Sequence, residues 1–582
     1  MSEPATKRKI LRRVTENAVP TLAEKNIVLQ RIYTGRGITE ASELDYKLSN
    51  LTPPETLHGI EQAARLLADT IEASRLILII GDFDADGATS TALAVSALRN
   101  MGVSKVDYIV PNRFEYGYGL TPEIVEVAKE KSPALIVTVD NGISSIDGVA
   151  TAKAAGISVL ITDHHLAGSE LPDAEVIVNP NQPDCKFLSK NLAGVGVIFY
   201  VMSVLRRELE RRNWFARQKI EMPNMAAFLD LVALGTVADV VPLDYNNRLM
   251  VSQGLARIRA GNTGEGIRAL LDIANKEMVT LSTADLGFAI GPRLNAAGRL
   301  DDMALGIECL LSKDREQALS MARQLDDLNR DRRAIEQGMQ LQAFAVLSEL
   351  DIGKADSLPT GLCLYNGAWH QGVIGILASR IKDKLHRPVI VFADGGPGEI
   401  KGSARSIVGF HIRDALDAIA ARNPGLLSKF GGHAMAAGMT LASEDYQRFS
   451  QEFDREARDV LNEEQLESIV ITDGELADDD FDLSLAHTLF NGGPWGQHFP
   501  EPQFDGEFEL LQQRIVGEKH LKMVVRACDA AKTVLDAIAF NIDTDFWPNS
   551  SIERVKLCYR LDINRFRGQE SLQLMVEYIE PV

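Results

Sequence analysis

Short apolar runs alternate with helix-favouring segments in the first half of the chain. The run Leu76-Ile77-Leu78-Ile79-Ile80 precedes a polar turn and a helical stretch from Ser90 to Met101, which ends at Gly102. Two further apolar runs, Ala134 to Val139 and Ile157 to Ile161, repeat this scheme. Continuous apolar strands separated by helices are typical of a parallel sheet covered on both faces. The pattern predicts a doubly wound α/β domain with a parallel sheet.

The pattern changes twice further along the chain. The stretch from Asp314 to Leu350 is charged, contains no proline and favours a long connector helix. A second, smaller α/β unit follows, with an apolar run from Pro388 to Phe392. From Ile469 onward, short alternating runs predict an antiparallel β-barrel of the OB-fold type.

These changes divide the 582 residues into five expected parts, which suits a length of several domains at roughly 100–200 residues each. The expected parts are an N-terminal segment (1–65), the parallel-sheet domain (66–300), connector helices (301–350), the smaller α/β domain (351–465) and the barrel (466–582). The N-terminal segment is polar and is predicted to be helical or partly extended, with no chemistry assigned to it.

Composition and charge narrow the class of protein. A hydrophobic fraction of 45% and a charged fraction of 24% are typical of a globular chain. The formal charge of -20 argues against a protein that coats a polyanion with its whole surface. A local basic groove, or acidic residues neutralised by bound metal ions, would still accept a phosphodiester.

Cysteine usage and hydropathy indicate the compartment. The five cysteines are far apart and form no C-x-x-C pair, so neither a disulfide framework nor a zinc ribbon is predicted. The first residues lack the apolar core of a signal peptide, and the apolar runs are shorter than a membrane span. We therefore expect a cytoplasmic protein with no membrane partner.

Three carboxylates follow the first apolar run at alternate positions: Asp82, Asp84 and Asp86. On an extended segment, alternate side chains point to the same side, so these acids are expected to converge. Their mutual repulsion is costly unless cations lie among them. A solvated turn with an incidental acidic run is the alternative interpretation.

Polar residues at other strand ends strengthen the metal interpretation. Asp140 follows one apolar run, and Asp163-His164-His165 follows the next. Because the carboxyl ends of parallel strands form one crevice, these clusters are expected to meet in space. Carboxylates combined with imidazole suit Mn²⁺ or Mg²⁺ better than structural zinc. Asp239 lies in an otherwise apolar stretch and is interpreted as a further ligand rather than a helix cap.

Taken in order, Asp84-Ala85-Asp86, Asp140, Asp163-His164-His165 and Asp239 resemble the four motifs of the DHH phosphoesterase superfamily. From about residue 70 to its end, the chain is similar to the branch of that superfamily that degrades single-stranded DNA in the 5′→3′ direction. The resemblance implies two divalent cations, Mn²⁺ or Mg²⁺, that activate water and hold the phosphodiester.

Carried over residue by residue, the resemblance also implies individual roles. The implied metal ligands are Asp84, Asp86, Asp140, His164 and Asp239, with Asp140 bridging both cations. The implied catalytic residues are Asp140, His165 near the scissile phosphate, and Asp163 as the residue that orients an imidazole. Many relatives have a histidine where Ile80 stands, so one metal site is either weaker or completed by Asp82.

The substrate-binding residues are expected in segments that contain arginine and several glycines, because arginine pairs bidentately with phosphate oxygens. Read with the resemblance, the expected DNA contacts are Arg113, Arg293, Asn295 and Arg299. Ser403 and Arg405, together with Arg113, are expected to bind a terminal 5′-phosphate. The string Gly431-Gly432-His433 resembles the glycine-histidine motif of the DHH-associated domain and is assigned to substrate binding.

The expected barrel carries both basic and aromatic residues. The basic ones are Arg514, Lys519, His520, Lys522, Arg526, Arg560, Arg565 and Arg567, and the aromatic ones are Phe540, Trp547, Tyr559 and Phe566. OB folds hold single strands by stacking bases on aromatics beside a cationic groove. Core aromatics with scattered surface charge are the alternative interpretation.

The residues and the resemblance together predict a metal-dependent exonuclease that degrades single-stranded DNA 5′→3′ to 5′-mononucleotides, in DNA repair and recombination. Single-stranded DNA is the expected partner, with a single-strand-binding protein and a helicase as candidate protein partners, and a monomer is expected. The alternatives are a DHH-type phosphoesterase acting on short oligonucleotides or cyclic dinucleotides, and a catalytically inactive single-stranded-DNA-binding scaffold. A pyrophosphatase of the same superfamily would be much shorter.

Overall fold

The computed structural model describes residues 8–13, 26–112, 116, 119–349, 358–528 and 533–582. Arg113, one of the expected DNA contacts, lies outside these residues. Among the residues described, we find no helix that combines the length and the apolar character needed to cross a membrane.

The N-terminal segment contributes a strand and a helix. They are β1 (Lys9–Arg12) and α1 (Ile27–Gly35). β1 pairs in parallel with the strand Ile469–Thr472, so the beginning of the chain is joined to the segment that leads into the last domain. The sequence predicted a helical or partly extended segment here but not the partner of β1, because pairing over such a separation leaves no local signal.

A five-stranded sheet with helices on both faces forms the parallel-sheet domain (residues 60–311). Its elements up to the last strand are α2 (Ile60–Glu72), β2 (Ile77–Ile80), α3 (Ala85–Asn100), β3 (Val106–Ile109), α4 (Pro122–Glu130), β4 (Leu135–Val139), α5 (Ile146–Ala154), β5 (Ser158–Thr162) and β6 (Val176–Val178). Helices complete it: α6 (Gly194–Arg211), α7 (Trp214–Gln218), α8 (Leu229–Ala238), α9 (Tyr245–Arg259), α10 (Glu265–Ile273), α11 (Thr283–Asp285), α12 (Gly291–Leu300) and α13 (Ala304–Leu311).

The sheet is parallel throughout, with the strand order β3-β2-β4-β5-β6. Within β2, Ile77 and Ile79 face one hydrophobic core, whereas Leu78 and Ile80 face the other. This explains why the run is apolar at every position instead of alternating. The predicted doubly wound domain is confirmed.

Helix α3 begins five residues before the predicted start at Ser90. Asp84 is its N-cap and accepts a hydrogen bond from the Gly87 amide at 3.0 Å, so Asp86 lies in the first helical turn. The expectation that all three acids lie on one extended segment is therefore wrong. Aspartate is among the strongest N-cap residues, and Asp84 therefore starts the helix soon after the strand ends.

The predicted connector helix is confirmed as α14 (Arg315–Glu349). The mixed-sheet domain that follows (residues 358–461) contains β7 (Leu362–Tyr365), α15 (Ile374–Leu385), β8 (Val389–Gly396), β9 (Glu399–Arg405), α16 (Ile412–Arg422), β10 (Lys429–Gly432), β11 (Ala436–Ala442) and α17 (Tyr446–Val460). Its strand order is β10-β11-β9-β8-β7, and only β7 and β8 pair in parallel.

The C-terminal part forms a closed five-stranded barrel, as predicted. Its elements are β12 (Ile469–Thr472), α18 (Leu483–Asn491), β13 (Phe504–Val516), β14 (His520–Ala527), β15 (Val534–Ala539), β16 (Arg554–Phe566) and β17 (Gln569–Pro581). The barrel order is β13-β14-β15-β17-β16. The expected antiparallel pairing holds for four of its five strand pairs, whereas β15 and β17 pair in parallel. These strands are longer than the apolar runs indicated, because their outward-facing residues are polar.

A buried ion pair joins the N-terminal segment to the chain before the barrel. Arg36 donates to Asp473 at 2.8 Å and 3.0 Å, and the two side chains are only 1% and 2% exposed. Arg13 approaches the same carboxylate at 3.0 Å. The N-terminal segment and the entry to the barrel therefore form one packed unit.

Candidate metal centre and substrate pocket

Carboxylates and imidazoles meet at the carboxyl edge of the parallel sheet, as expected. Two groups of residues each bring three ligand atoms within 4.8 Å of one another: Asp82, Asp84 and Asp140 in the first group, and Asp86, His164 and Asp239 in the second. Asp140 also forms such a group with His164 and His165. Asp140 can therefore reach both groups, which is the position that a bridging ligand needs.

Helix starts and a strained turn hold these side chains. Asp140 follows β4 with φ of 64°, a left-handed conformation that non-glycine residues seldom adopt. Asp86 accepts hydrogen bonds from the amides of Gly194 (2.6 Å) and Val195 (3.0 Å) at the start of α6. A Cβ atom on Gly194 would lie 2.6 Å from Cβ of Asp140, so this position needs glycine. No motif in the sequence indicated Gly194 as part of the site.

His164 is at the centre of the second group. Its Nε2 atom lies 3.1 Å from Oδ1 of Asp140, 3.5 Å from Oδ2 of Asp239 and 4.0 Å from Oδ2 of Asp86. Asp239 occupies the C-cap position at the end of α8. A carboxylate does not favour a helix C-terminus, so capping does not explain this residue.

Burial and crowding shift the pKa values of the cluster. Burial and the neighbouring charge of Asp84 raise the pKa of Asp86 to about 7. Burial, followed by the repulsion of the other carboxylates, raises the pKa of Asp140 and of Asp239 well above the usual value. Burial and the adjacent His165 lower the pKa of His164 to about 3, so its ring is neutral and can act as a ligand.

These residues fit divalent cations. Nε2 of His164 and Oδ2 of Asp239 are buried and make no hydrogen bond within the described part of the chain. Buried polar atoms are normally satisfied, and cations placed among these oxygens and nitrogens would satisfy both atoms and neutralise the carboxylates. Ile80 points into the hydrophobic core, whereas Asp82 lies with Asp84 and Asp140. Asp82 is thus available where a histidine is lacking.

His165 is oriented by Asp163. Its Nδ1 atom lies 2.7 Å from Oδ1 of Asp163, whose other oxygen accepts the Ile143 amide at 2.9 Å. Burial opposes the charged imidazole, but the hydrogen bond and the charge of Asp163 raise the pKa of His165 to about 9. A protonated imidazole beside the metal cluster is suited to pair with a phosphate oxygen.

A cavity of about 480 Å³ opens between the parallel-sheet and mixed-sheet domains. Asp84, Asn295 and Arg299 line it from the first domain, and Ser403 and Arg405 from the second. Asn295 also accepts the Ala85 amide at 2.8 Å, and Arg299 donates to the Gly372 carbonyl at 3.1 Å. Four of the expected substrate residues and one expected metal ligand thus share a single cavity.

Arg405 has the surroundings of an anion-binding residue. It donates to Oγ of Ser403 (3.1 Å) and to the Ala404 carbonyl (2.8 Å). Burial lowers its pKa, and no carboxylate of the described residues forms an ion pair with it. The start of α15, at Ile374 and Gly375, lines the same cavity, and the positive end of a helix dipole favours an anion there.

Other expected substrate residues lie elsewhere. Arg293 forms a buried ion pair with Asp326 on the connector helix (2.8 Å) and does not line this cavity, so its contact with DNA stays a prediction. The ring of His433 lies 6.4 Å from that of His165, which brings the mixed-sheet domain to the metal cluster. Gly431 and Gly432 belong to β10 just before it, and Gly432 has φ of 146°.

Three further cavity residues had no role assigned to them from the sequence. Gln371, Lys401 and Thr440 line the cavity beside Arg405. Lys401 lies two residues before Ser403 in β9, where side chains at alternate positions share one face. That alternation was the available signal for a second cation in the pocket.

The barrel surface differs from the expected cationic groove. Four of the eight basic side chains pair with acids: Lys522 with Asp536, Arg526 with Glu509, Arg560 with Glu501 and Arg565 with Glu570. Trp547 and Tyr559 are core residues, so they are not stacking platforms. Phe540 and Phe566 remain exposed, at 47% and 63%.

Comparisons with known proteins agree with this architecture. The chain matches the DHH family, N-terminal domain, over residues 76–236, the DHHA1 domain over residues 359–459 and the RecJ OB domain over residues 472–578. Fold and site therefore define a DHH-family protein.

Full-length relatives identify the family more closely. The chain is 55% identical to the single-stranded-DNA-specific exonuclease RecJ of Dickeya dadantii over 95% of this chain and 96% of that protein. It is 51% identical to the protein of that name from Escherichia coli over 98% of this chain and 99% of that protein. The chain belongs to the RecJ family.

Solved structures show the same fold. RecJ from Thermus thermophilus in complex with Mn²⁺ aligns with a TM-score of 0.79 and 27% identity, over 99% of this chain and 79% of that one. An exonuclease RecJ bound to manganese aligns with a TM-score of 0.56 and 31% identity, over 69% of this chain and 95% of that one.

Proposed function

We propose that this protein is a metal-dependent exonuclease specific for single-stranded DNA, which proceeds 5′→3′ and releases 5′-mononucleotides. One observation carries the proposal: a single cavity is lined at the same time by Arg405, an arginine in an anion-binding setting, and by Asp84 of the metal cluster. A terminal 5′-phosphate bound at Arg405 would bring a phosphodiester close to that cluster.

The residues have the following proposed roles. Asp82, Asp84 and Asp140 would hold one cation, and Asp86, His164 and Asp239 the other, with Asp140 shared. The bound cations would supply positive charge at the phosphate and lower the pKa of a water molecule. His165 donates a charged hydrogen bond to a phosphate oxygen, and Asp163 keeps its ring in place.

Recognition of the strand end is assigned to the mixed-sheet side of the cavity. Arg405 and Ser403 bind the 5′-phosphate, together with Arg113, and Arg299 and Asn295 line the opposite wall. A terminal phosphate carries extra negative charge, so these groups bind a strand end more tightly than an internal phosphodiester. His433, beside His165, would contact the strand near the reacting phosphate.

A phosphoesterase for short oligonucleotides or cyclic dinucleotides is less well supported. Such a substrate would be enclosed by the cavity of about 480 Å³ alone and would not require the barrel. The buried carboxylates, which repel one another, also argue against an inactive scaffold. Burying them costs free energy, and a protein that only binds DNA has no use for them.

The setting of the enzyme is inferred from the same features. We infer a cytoplasmic monomer, in agreement with five free cysteines, of which four are buried. An enzyme that accepts single strands needs another protein to supply them from duplex DNA. A helicase and a single-strand-binding protein are therefore the proposed protein partners, in DNA repair and recombination.

End-labelled oligonucleotides test the proposal. Single-stranded and duplex DNA, labelled at either end, are incubated with Mn²⁺, with Mg²⁺ or with a chelator and resolved by length. We expect mononucleotides released from the 5′ end of the single strand, and no reaction with the chelator. Release from the 3′ end, internal cleavage or equal attack on duplex DNA would contradict the proposal.

A further inference from the structure

The interdomain cavity extends beyond the residues assigned to a terminal 5′-phosphate. Arg405 and Ser403 of β9 line it together with Asp84 of the metal cluster. Lys401 and Thr440 line it as well, and neither has a role in the proposed function. Part of the cavity is therefore left without a ligand when a single phosphate is bound at Arg405.

One face of the mixed sheet forms this wall of the cavity. In β9, Ile400 and Ala404 belong to the hydrophobic core on the other face of the sheet. Lys401, Ser403 and Arg405 alternate with these core residues, so their side chains share the face that borders the cavity. The three residues therefore form one line along the strand.

This line leads away from the metal cluster. Arg405 pairs with Ala436 of β11, whose carbonyl accepts the His433 amide at 2.8 Å. The ring of His433 lies 6.4 Å from that of His165, so the Arg405 end of β9 is the end next to the cluster. Lys401 comes four residues earlier in the strand, which places it about 13 Å further from the cluster along β9.

The sheet surface between Arg405 and Lys401 is open. Ser403 lies opposite Gly438 of β11, and Gly438 lies opposite Gly431 of β10. A Cβ atom on either glycine would meet no atom closer than 3.9 Å. An elongated ligand can therefore lie across this part of the sheet.

Beyond the glycines, two lysines and a hydroxyl form a row across three strands. Lys401 of β9 lies opposite Thr440 of β11, which lies opposite Lys429 of β10. Side chains directly opposite each other have Cβ atoms about 4.5–5.5 Å apart. Neither lysine forms an ion pair with a carboxylate of the described residues. Among the described residues that line the cavity, Asp84 at the metal end is the only acid.

The chemistry of this row suits phosphate oxygens. Ammonium groups donate charged hydrogen bonds to phosphate, and the lysine stem is long and flexible enough to follow it. A nucleobase is less well suited, because the only aromatic among the described lining residues is Phe83, next to Asp84. Since the row lies on the far side of Arg405 from the metal cluster, its ligand must be attached to the 5′-phosphate itself.

We propose that Lys401, Thr440 and Lys429 form a second anion subsite, which binds the β- and γ-phosphates of a 5′-triphosphorylated single strand. The inference rests on the proposed function, because it places the α-phosphate where the terminal 5′-phosphate of an ordinary strand is bound, at Arg405 and Ser403.

The reaction at such an end is the same hydrolysis. Water adds to the phosphorus of the first phosphodiester, and the 3′-oxygen of the first nucleotide leaves and takes up a proton. The remaining strand keeps the phosphorus as a new 5′-monophosphate. The first product is therefore a nucleoside triphosphate, and every later product is a nucleoside monophosphate.

The identity of the first product tests this inference. Dodecamers labelled in their first nucleotide, with a 5′-triphosphate or a 5′-monophosphate, are incubated with the wild-type protein and Mn²⁺, and the products are separated by ion exchange. We expect an intact labelled nucleoside triphosphate from the first strand. Normal degradation of the monophosphorylated strand without attack on the triphosphorylated one would overturn the inference and leave the proposed function intact. Inertness of both strands would contradict the proposed function itself.

Variants of the two lysines locate the subsite. The Kd of each dodecamer is measured with Ca²⁺ in place of Mn²⁺ for Lys401→Ala, Lys429→Ala and Lys401→Arg. We expect each alanine variant to weaken binding of the triphosphorylated strand about five- to tenfold more than that of the monophosphorylated one, and Lys401→Arg to retain most of the binding.

Arg455→Ala is the matched control, because it removes one exposed positive charge of the same domain at a residue that does not line the cavity. It should leave both Kd values as in the wild type. Equal losses for the two strands in Lys401→Ala and Lys429→Ala would overturn the inference, because the lysines would then act on the monophosphate or on the strand as a whole.

Discussion

The guanidinium of Arg405 lies against the backbone of Gly375, so closely that a Cβ atom at position 375 would be 2.9 Å from Nη2 of Arg405 and 2.9 Å from Oγ of Ser403. The start of α15 and the end of β9 thus converge on one point of the interdomain cavity. A hydroxyl and a buried cation meet there beside a helix start, and these groups can bind a phosphate.

Arg405→Ala should abolish most of the preference for 5′-phosphorylated over 5′-hydroxyl strands. Charged hydrogen bonds contribute about 1.5–3 kcal/mol each, so a loss of one to two orders of magnitude in the ratio of kcat/KM values is expected. Arg455→Ala is the control, because Arg455 is an exposed arginine of the same domain that lies 3.9 Å from Asp459. A ratio that is the same in both variants would exclude Arg405 from end recognition.

Gly375→Ala should act in the same direction with a smaller effect. The added methyl group displaces Arg405 and Ser403 from their present positions while all donors stay in the chain. Gly338→Ala in α14 is the matched control, because a Cβ atom there meets nothing within 4 Å and alanine favours a helix interior. The measurement is the KM for each type of 5′ end. An unchanged KM for the phosphorylated strand would show that the close contact of Gly375 with Arg405 and Ser403 is not needed for binding the 5′-phosphate.

Asp140→Ala should eliminate hydrolysis and leave the fold intact. The carboxylate serves both ligand groups, whereas its removal relieves the repulsion that raises the pKa values of its neighbours. Rates at saturating Mn²⁺, thermal unfolding with and without Mn²⁺, and circular dichroism provide the measurements. Asp147→Ala, at an exposed position in α5, should behave as wild type. Wild-type turnover in Asp140→Ala would refute the metal assignment.

Asp163→Asn should lower kcat about 10- to 100-fold with little change in KM. The amide keeps the shape of the side chain but loses the charge that holds His165 protonated and in place. His165→Gln should give a similar loss, and the double variant should be no slower than the slower single variant, because the two residues act as a unit. Multiplicative losses in the double variant would show that Asp163 and His165 act separately.

Asp473→Asn should destabilise the protein by about 3 kcal/mol, because Arg36 is left buried and uncompensated. Burial opposes the charged carboxylate, but Arg36 holds the pKa of Asp473 below its usual value. The ion pair therefore stabilises the fold above the usual aspartate pKa of about 4, and this contribution is lost as the pH falls below it.

Urea unfolding at several pH values checks this ion pair. The difference between wild type and Asp473→Asn is expected to be constant near neutral pH and to shrink under acidic conditions. Asp45→Asn, in an exposed pair with Lys47, should cause no measurable change. A difference that is independent of pH would show that packing, not charge, is responsible.

The classes of fold and the residue types of the metal centre could be predicted from the sequence alone. Runs such as Leu76 to Ile80 report burial on both sheet faces, and the carboxyl ends of parallel strands share one edge by geometry. Asp140 and His164 could therefore be expected together, whereas Asp239, at the end of a helix, was expected there only as the further member of the set. The OB-type barrel was also readable, because its strands keep an apolar face.

Features that depend on contacts between residues distant in the chain could be seen only in the folded molecule. Arg293 could be engaged by DNA or by protein, and only the packing of the connector helix pairs it with Asp326. Trp547 and Tyr559 became core residues because the barrel closes around them. The pairing of β1 with β12 and the contact of Gly375 with Arg405 leave no local signal in the sequence. Each joins two segments that are far apart in the chain and come into contact only when it folds.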